Sequence, residues 1–386
     1  MKSGHITNSI LSIVFLMILF SVMALFLFTK KEEMNKVENR MLAKMPEFDV
    51  SKLDPFPGEY DKYYSDHFPF RSTLVQIFNK VNYNNFRVSP LPDKVVIGLN
   101  DFLFMSGKQM ETYRGENLFT QSELEAILKE LQYRDEFCAN EGAKFYFVII
   151  PQKTTIYEEY IPTRYKTTRK KTIRTQLEDF LNEYQFPYID PTSNLKSKKS
   201  DTNFLYLKTD NHWNNLGAFY ASKFIIDEIK KDYPETSSID LSEFQISEEG
   251  RNGGNLAQML NMSNELLDVD FKYEYIGDNT AVSGRKHPYA PPEGFAYPWE
   301  YEEVFLNPCA NDLKALIIRE SFGTKQRQFY REAFGETVMI FDAWHHELNK
   351  DIIRSEKPDI VIIQILESML PNLLLYPSKK ETTSSK

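Results

Sequence analysis

The sequence predicts an α/β protein with a mostly parallel sheet, preceded by one apolar helix. Short apolar runs typical of buried strands recur along the chain, and segments with a helical spacing of apolar residues lie between them. This alternation indicates parallel strands joined by right-handed helical crossovers. The third observation is a long apolar run near the N-terminus.

That run, residues 9–28, contains no charged side chain and ends at Phe28-Thr29-Lys30-Lys31. At about 1.5 Å per residue it spans the roughly 30 Å hydrocarbon layer of a membrane. A cleaved secretory segment has a shorter apolar core and small residues at its cleavage site, and this run lacks such a site. We therefore predict an uncleaved transmembrane anchor. A buried helix of a soluble protein is the alternative, although such helices are rarely apolar on every face.

The charges that flank the run favour a cytoplasmic position for the residues that follow it. Lys2 precedes the run, whereas Lys30, Lys31, Lys36 and Arg40 come after it. Long domains are translocated largely regardless of this charge rule. The extracytoplasmic placement that we predict rests on the family resemblance described below.

The chain is expected to contain five segments. They are a short tail at 1–8, a transmembrane signal anchor at 9–28, a juxtamembrane arm at 29–90, the main α/β domain at 91–370 and a disordered tail at 371–386. Prolines interrupt any long helix in the arm, and the last residues are polar.

Within the main domain, four strands and four helices can be predicted from apolar spacing. The strands are 145–150, 313–318, 337–341 and 359–365, and the helices lie around 124–131, 173–184, 325–334 and 345–355. Residues 281–299 are rich in proline and are expected to form a surface excursion that could serve as a lid.

Composition excludes some classes of function. The formal net charge is −9, which does not suit a protein that wraps nucleic acid phosphates. The two cysteines, Cys138 and Cys309, show no metal or redox spacing, and they could either pair or be buried separately.

Asp210, His212 and Ser321 are the best candidates for nucleophilic catalysis. Residues 206–213 end a strand-like stretch before a helix, and residues 316–323 pass from a buried strand into a helix. Ligand sites in α/β proteins lie at the carboxyl ends of strands, where both segments are expected. A serine needs a base such as imidazole, and the imidazole needs a carboxylate that fixes its tautomer. Of the six histidines, His212 has both a close carboxylate and a strand-to-helix position.

Two other readings of these residues stay open at this point. Ser321 could be the N-cap of the helix that follows it. Asp210 and His212 could form half of a metal site.

Three further features have weaker functional interpretations. Lys153 directly follows a buried strand and could either face the active-site edge or be solvated. His345 and His346 are expected to be surface or packing residues at a helix start. A basic run could meet an anionic polymer or lipid, or be a solvated helix start. Its members are Arg164, Lys166, Arg169, Lys170, Lys171 and Arg174.

Residues 209–218 resemble the D-x-H-W signature of the alginate O-acetyltransferase (AlgJ/AlgX-type) family. The segment reads Thr209-Asp210-Asn211-His212-Trp213, followed by an N-x-x-G-A sequence. Further matches occur in order between residues 37 and 370. They are Glu38-Asn39-Arg40-x-Leu42, Asp66-His67-Phe68-Pro69-Phe70-Arg71, residues 95–104, Pro151-Gln152-Lys153 through Tyr157, Gly254-Asn255-Leu256-Ala257, and Lys357-Pro358-Asp359 through Glu367.

The resemblance implies an SGNH-hydrolase-like, three-layer α/β/α domain in which the catalytic Asp-x-His precedes the serine. It implies Asp210, His212 and Ser321 as the catalytic triad, with no cofactor and no metal. The chain departs from the family at Glu320, where an Asp is usual, and the longer side chain is expected to affect the rate.

The resemblance further implies transfer of acetyl groups to hydroxyls of an exported or cell-surface polysaccharide. The acetyl donor would come from a membrane-bound, multi-spanning O-acyltransferase partner. An acetyl esterase with the same triad is one rival, and a non-catalytic scaffold that binds a glycan or the partner is the other.

Overall fold

The computed structural model describes residues 2–28, 31, 33–35, 40–50, 53–167, 171–200, 203–277, 281–287 and 289–378. The chain divides into two compact units, which are Met1–Leu91 with Ala257–Ser263, and Pro92–Leu256 with Asn264–Lys386. Some residues named above lie outside the described ones, namely Thr29, Lys30, Lys36, Glu38, Asn39, Arg169, Lys170 and residues 379–386.

The first unit begins with the predicted apolar helix, α1 (Lys2–Phe28). Its part Ile10–Phe28 has a mean hydropathy of 3.0 and is almost entirely exposed, so by length and composition it could cross a membrane. The elements that follow are the short paired strands β1 (Met34–Asn35) and β2 (Arg40–Met41), the helices α2 (Pro55–Asp66) and α3 (Arg71–Val81), and a π-helical turn at Asn82–Phe86.

The second unit contains the remaining strands. They are β3 (Val95–Ile97), β4 (Leu103–Met105), β5 (Lys144–Ile150), β6 (Phe244–Asn252), β7 (Leu267–Tyr275), β8 (Val282–Ser283), β9 (Glu302–Leu306), β10 (Lys314–Arg319), β11 (Glu336–Phe341) and β12 (Ile360–Leu366). In the part of the chain that the structure describes, six of them form the main sheet in the order β5-β12-β10-β11-β9-β8. The first four strands in that order are parallel, and β9 and β8 add an antiparallel edge. The predicted mostly parallel α/β sheet is therefore confirmed.

Helices cover both faces of this sheet. They are α4 (Lys108–Arg114), α5 (Gln121–Asn140), α6 (Lys153–Ile156), α7 (Ile173–Glu183), α8 (Thr192–Lys198), α9 (Asn215–Ile229), α11 (Gly323–Ala333), α12 (Lys350–Glu356) and α13 (Asn372–Leu375). The short helix α10 (Asn255–Met259) contains residues of both units. Short 3-10 turns lie at Glu158–Tyr160, Thr163–Tyr165, Leu241–Glu243, Pro298–Glu300 and Glu367–Met369.

Alternating residues of β5 show how the layers pack. Val148 and Ile150 belong to the core under α9 and α11, whereas Phe147 and Ile149 belong to the core under α5, α7 and α12. Successive side chains of a strand point to opposite faces, so a strand that is apolar throughout is buried on both sides. This is the three-layer arrangement that the resemblance implied.

Two predicted elements differ in the structure. The helix expected at 345–355 begins only at Lys350, because His346 and Asn349 have φ values of 58° and 52°, which are incompatible with a right-handed helix. Residues Asn372–Leu375 form α13 with Leu373 buried, although residues 371–386 were expected to be disordered. The reason is an apolar side chain that packs into the core next to α5.

Candidate active site

Two loops that meet at the carboxyl end of β10 carry the predicted site residues, although the strand-like stretch expected before residue 207 is only a single bridge between Tyr206 and Trp213. Ser321 lies in the turn between β10 and α11. Residues 207–212 form a tight loop, because Leu207 N donates to His212 O at 3.2 Å and Tyr206 pairs with Trp213. This is the edge of a parallel sheet at which ligand sites are found.

The structure brings Asp210, His212 and Ser321 into one hydrogen-bonded chain. His212 Nε2 lies 2.8 Å from Ser321 Oγ, and His212 Nδ1 lies 2.7 Å from Asp210 Oδ1. The backbone N–H of His212 also donates to Asp210 Oδ1 at 3.1 Å. In this arrangement His212 Nδ1 donates to the carboxylate, which leaves Nε2 free to accept the Ser321 proton.

The Asp210 carboxylate is held ionised. Burial of this group opposes ionisation, but the hydrogen bond and charge of His212 and the backbone N–H of Asn255 (3.0 Å from Oδ2) outweigh it, and the pKa of Asp210 falls below its usual range. Gly254 makes room for this carboxylate. A Cβ at position 254 would lie 2.7 Å from Asp210 Cγ and closer still to its Oδ2.

A second hydrogen bond joins the two loops. The buried indole of Trp213 donates from Nε1 to Phe322 O at 3.0 Å. The Trp213 and Phe322 rings also pack edge to face. The Phe322 ring also lies against the His212 imidazole, with centroids 4.8 Å apart. The tryptophan of the D-x-H-W segment therefore fixes the backbone next to Ser321.

Glu320 occupies the position before the serine and is fully buried. Its Oε2 accepts from Phe322 N at 2.7 Å and lies 3.5 Å from Ser321 Oγ. Burial raises the pKa of Glu320 to about 7, although the Phe322 N–H and the charges of His212 and Arg319 oppose the shift. The longer side chain thus closes the serine turn with a hydrogen bond to the backbone.

Ser321 and His212 open onto a cavity of about 920 Å³. Aromatic side chains form part of its wall, namely Tyr297, Phe322, Phe341, Trp344 and Tyr376. Amide side chains contribute polar groups, among them Asn117, Asn211 and Asn255. A largely preformed cavity with a few convergent polar groups is typical of a small-molecule or sugar site, and it is far larger than an acetyl group needs.

Comparison with known proteins agrees with this architecture. Residues 95–286 match the family model described as SGNH hydrolase-like domain, acetyltransferase AlgX. The chain carries an AlgJ/AlgX-type SGNH hydrolase-like domain. This confirms the family and the fold that the D-x-H-W segment predicted.

One curated relative of this domain is the probable alginate O-acetylase AlgJ of Pseudomonas aeruginosa. The two are 25% identical over 175 residues, which are 45% of this chain and 42% of AlgJ. The match thus spans less than half of that relative's length.

Solved structures share the fold. PatB1 of Bacillus cereus superposes with a TM-score of 0.53 at 18% identity, over 71% of this chain and 97% of PatB1. A structure of PatB1 with a sulfonyl adduct gives a TM-score of 0.52 at 17% identity, over 72% of this chain and 97% of that one.

Two other readings of the AlgJ/AlgX-type site residues receive no support from the geometry. The N-cap residue of α11 is Phe322, so Ser321 does not hold that position. Among the described residues, no group of three or more His, Cys, Asp and Glu side chains is arranged to hold a metal ion. The cysteines are separate, with Cys138 buried and Cys309 exposed.

The sequence left the position of Lys153 undecided, because a solvated lysine was as good an interpretation as one that faces the active-site edge. The structure buries it, with 1% of its surface exposed. Its Nζ donates to the carbonyl oxygens of Leu103 and Lys208, both at 2.7 Å, and of Asp210 at 3.0 Å. Burial lowers the pKa of Lys153 to about 7, against the opposing charges of Asp268 and Asp210. The lysine therefore ties the Asp210 loop to strand β4.

Two more predictions can be compared with the structure. His346 is buried, and the carbonyl oxygen of this residue accepts from Arg134 at 2.7 Å, so it is a packing residue rather than a surface one. Within the basic run, Arg174 pairs with Glu178, Asp190 and Glu367. Arg174 is therefore not part of a solvated helix start, because its guanidinium forms ion pairs inside the protein.

Proposed function

We propose that this chain is a membrane-anchored, extracytoplasmic O-acetyltransferase that adds acetyl groups to hydroxyls of an exported or cell-surface polysaccharide. The observation that carries the proposal is the 2.8 Å contact between His212 Nε2 and Ser321 Oγ, with Asp210 on the other ring nitrogen. The family match ends at residue 286, so the role of Ser321 rests on this contact. The AlgX-type domain supports acetyl transfer as the reaction.

In the first half-reaction, Ser321 Oγ attacks the acetyl carbonyl of the donor while its proton passes to His212 Nε2. The carbon–oxygen bond to Ser321 forms, the bond to the donor's leaving group breaks, and His212 returns the proton to that leaving group. Asp210 holds the imidazole in the required tautomer and stabilises its charged form.

In the second half-reaction, a sugar hydroxyl takes the place of the leaving group. His212 removes the hydroxyl proton, the sugar oxygen attacks the acetyl-serine carbonyl, and Ser321 leaves with the proton that His212 then donates. The oxyanion of each step lies near the N-terminus of α11, where the helix dipole favours negative charge. Asn211 lines the cavity beside His212, and its amide can donate to that oxygen.

The donor in this proposal comes from a multi-spanning membrane acyltransferase, and the acceptor is a polysaccharide in the aromatic-lined cavity. The rival is an acetyl esterase, in which water replaces the sugar hydroxyl. Both enzymes need room for a sugar, and the match of residues 95–286 to an acetyltransferase domain is what favours the transferase.

A test uses the detergent-solubilised full chain with an aryl acetate as donor, with and without oligosaccharides. We expect Ser321→Ala to lower aryl acetate turnover by about 10³-fold or more, because the nucleophile is lost. Ser106→Ala is the matched control, since Ser106 lines the same cavity, and it should keep most of its activity. Acetylated sugar as a product supports the transferase. Turnover that yields only acetate with every oligosaccharide supports the esterase, and full activity of Ser321→Ala would refute the proposal.

A further inference from the structure

The helix α3 of the first unit exposes its apolar face and buries a polar side chain, which is the opposite of what a surface helix of a soluble protein usually does. Its apolar side chains Leu74, Ile77, Phe78 and Val81 are 51%, 53%, 60% and 42% exposed. They are spaced three or four residues apart and so lie on one face of the helix. The polar Asn79 is instead 4% exposed, and its Nδ2 donates to Leu260 O at 2.6 Å.

The first unit exposes large apolar side chains besides those of this face. Other large apolar side chains that are mostly exposed there are Phe48, Val50, Leu53, Phe70 and Phe86. Soluble proteins rarely expose contiguous apolar patches of this kind, and those that do use them for protein or membrane contacts. The apolar face of α3 is therefore expected to contact either protein or lipid.

The position of α3 in the first unit, close to the end of the apolar helix α1, favours lipid over protein as the contact of its apolar face. Phe26, close to the end of the apolar helix α1, packs against Tyr63 and Tyr64 of α2, with ring centroids 6.0 and 4.9 Å apart. α2 ends at Asp66 and α3 starts at Arg71, so few residues separate α3 from this junction. Tyrosine side chains at the end of an apolar span are typical of the membrane–water interface.

We propose that α3 is an interfacial membrane helix whose face Leu74, Ile77, Phe78 and Val81 lies in the headgroup region of the bilayer that α1 crosses. An interfacial helix buries its apolar face at the boundary of the acyl chains and keeps its polar face towards water or protein. Here the polar face contacts Ala257–Ser263 of the same unit, through Asn79 and through the donation from Asn261 Nδ2 to Ser72 O. The protein thus meets the membrane at two places, through α1 and through the surface of α3.

The test places a fluorescent reporter on each face of α3 in the full chain, reconstituted into phosphatidylcholine and phosphatidylglycerol nanodiscs. In a Cys309→Ser background, Ile77→Cys and Leu74→Cys carry a bimane label on the apolar face, and Ser72→Cys carries it on the opposite face. Cys138 is fully buried and is not expected to react. The melting temperature of each labelled protein checks that it is folded.

Brominated acyl chains quench only fluorophores that touch lipid. We expect emission from the labels at positions 77 and 74 to fall about twofold in brominated nanodiscs, and emission from position 72 to stay unchanged. Equal emission in brominated and ordinary lipid at both apolar positions would overturn the proposal. A blue-shifted but unquenched label would overturn it as well, because the face would then be covered by protein.

Discussion

At Asp210, burial and hydrogen bonding act in opposite directions, and hydrogen bonding determines the charge. The carboxylate receives two backbone N–H groups and the imidazole of His212. Glu320 lacks such a set of donors, and burial accordingly raises its pKa to about 7. The pKa values of two buried carboxyl groups near one serine are therefore shifted in opposite directions, and Asp210, the one that stays ionised, is suited to orienting the base.

Individual site residues could be predicted where their partners are close in sequence. Asp210 and His212 are two residues apart, so their contact follows from local geometry. The role of Lys153 could not be predicted, because its three carbonyl partners belong to segments about 50 residues away on either side. A lysine after a strand gives no local signal of such a cluster.

We predict that Lys153→Met destabilises the protein and lowers acetyl transfer. The buried carbonyl oxygens of Leu103 and Asp210 lose the lysine donor at a cost of about 1–3 kcal/mol each, whereas Lys208 O still accepts from Leu103 N. The backbone of Asp210 also loses its support. Lys208→Met is the matched control, since Lys208 Nζ lies 4.8 Å from the Phe204 ring and its loss should cost about 1 kcal/mol or less. Chemical unfolding and turnover of an aryl acetate measure both effects. Equal stability of the two variants would contradict the assigned role.

The same lysine makes stability depend on pH. Its pKa is about 7 in the folded protein, whereas the ordinary lysine pKa is 10.5, so the unfolded chain binds more protons between these values. The free energy of unfolding should therefore rise with pH in this window, by up to about 1.4 kcal/mol per pH unit. Lys153→Met lacks this titrating group, so its free energy of unfolding should rise less with pH than that of the wild type in the same window.

At the scale of elements, most strands and helices could be predicted from apolar periodicity, whereas the loops that shape the site could not. The strands expected at 313–318 and 337–341 are β10, which is shifted by one residue, and β11, which begins one residue earlier. The loop after β11 instead contains four residues with positive φ, which only a structure reveals. That loop carries Trp344 into the cavity wall.

We predict that Gly254→Ala disables the site without unfolding the domain. A methyl group at this position would overlap the Asp210 carboxylate and displace it from His212. A displacement of about 1 Å costs on the order of 10²-fold in rate. Gly250→Ala is the matched control, because no atom lies within 4 Å of the added Cβ. Turnover measurements on both variants should separate them, and an active Gly254→Ala would show that the Asp210 contact is not needed.

For the whole molecule, the sequence predicted an apolar N-terminal helix followed by an α/β domain, and both are present. It did not predict that residues 257–263 join the first unit, because that association depends on contacts between distant parts of the chain. The order of the strands depends on such contacts too. Orientation in the membrane depends on the export machinery, and the flanking charges alone point the other way.

The proposed topology predicts that everything after α1 lies outside the cytoplasm. Protease added to intact spheroplasts should therefore degrade the domain from residue 91 onward, as detected with a C-terminal epitope. A cytoplasmic marker protein must stay intact in the same sample. Protection of the domain until detergent is added would place it in the cytoplasm and remove exported glycans as acceptors.

The central claim is that Ser321 carries the acetyl group during the reaction. The most direct measurement is to mix the full chain with an aryl acetate, quench with acid within the first turnover and locate the acetyl group by peptide mass spectrometry. We predict acetylation on Ser321 in the wild type and in Ser106→Ala, and its absence from Ser321→Ala. The label should disappear when an acceptor oligosaccharide is added before the quench. Acetylation of a different residue, or transfer that proceeds with no acetyl group on Ser321, would contradict the account.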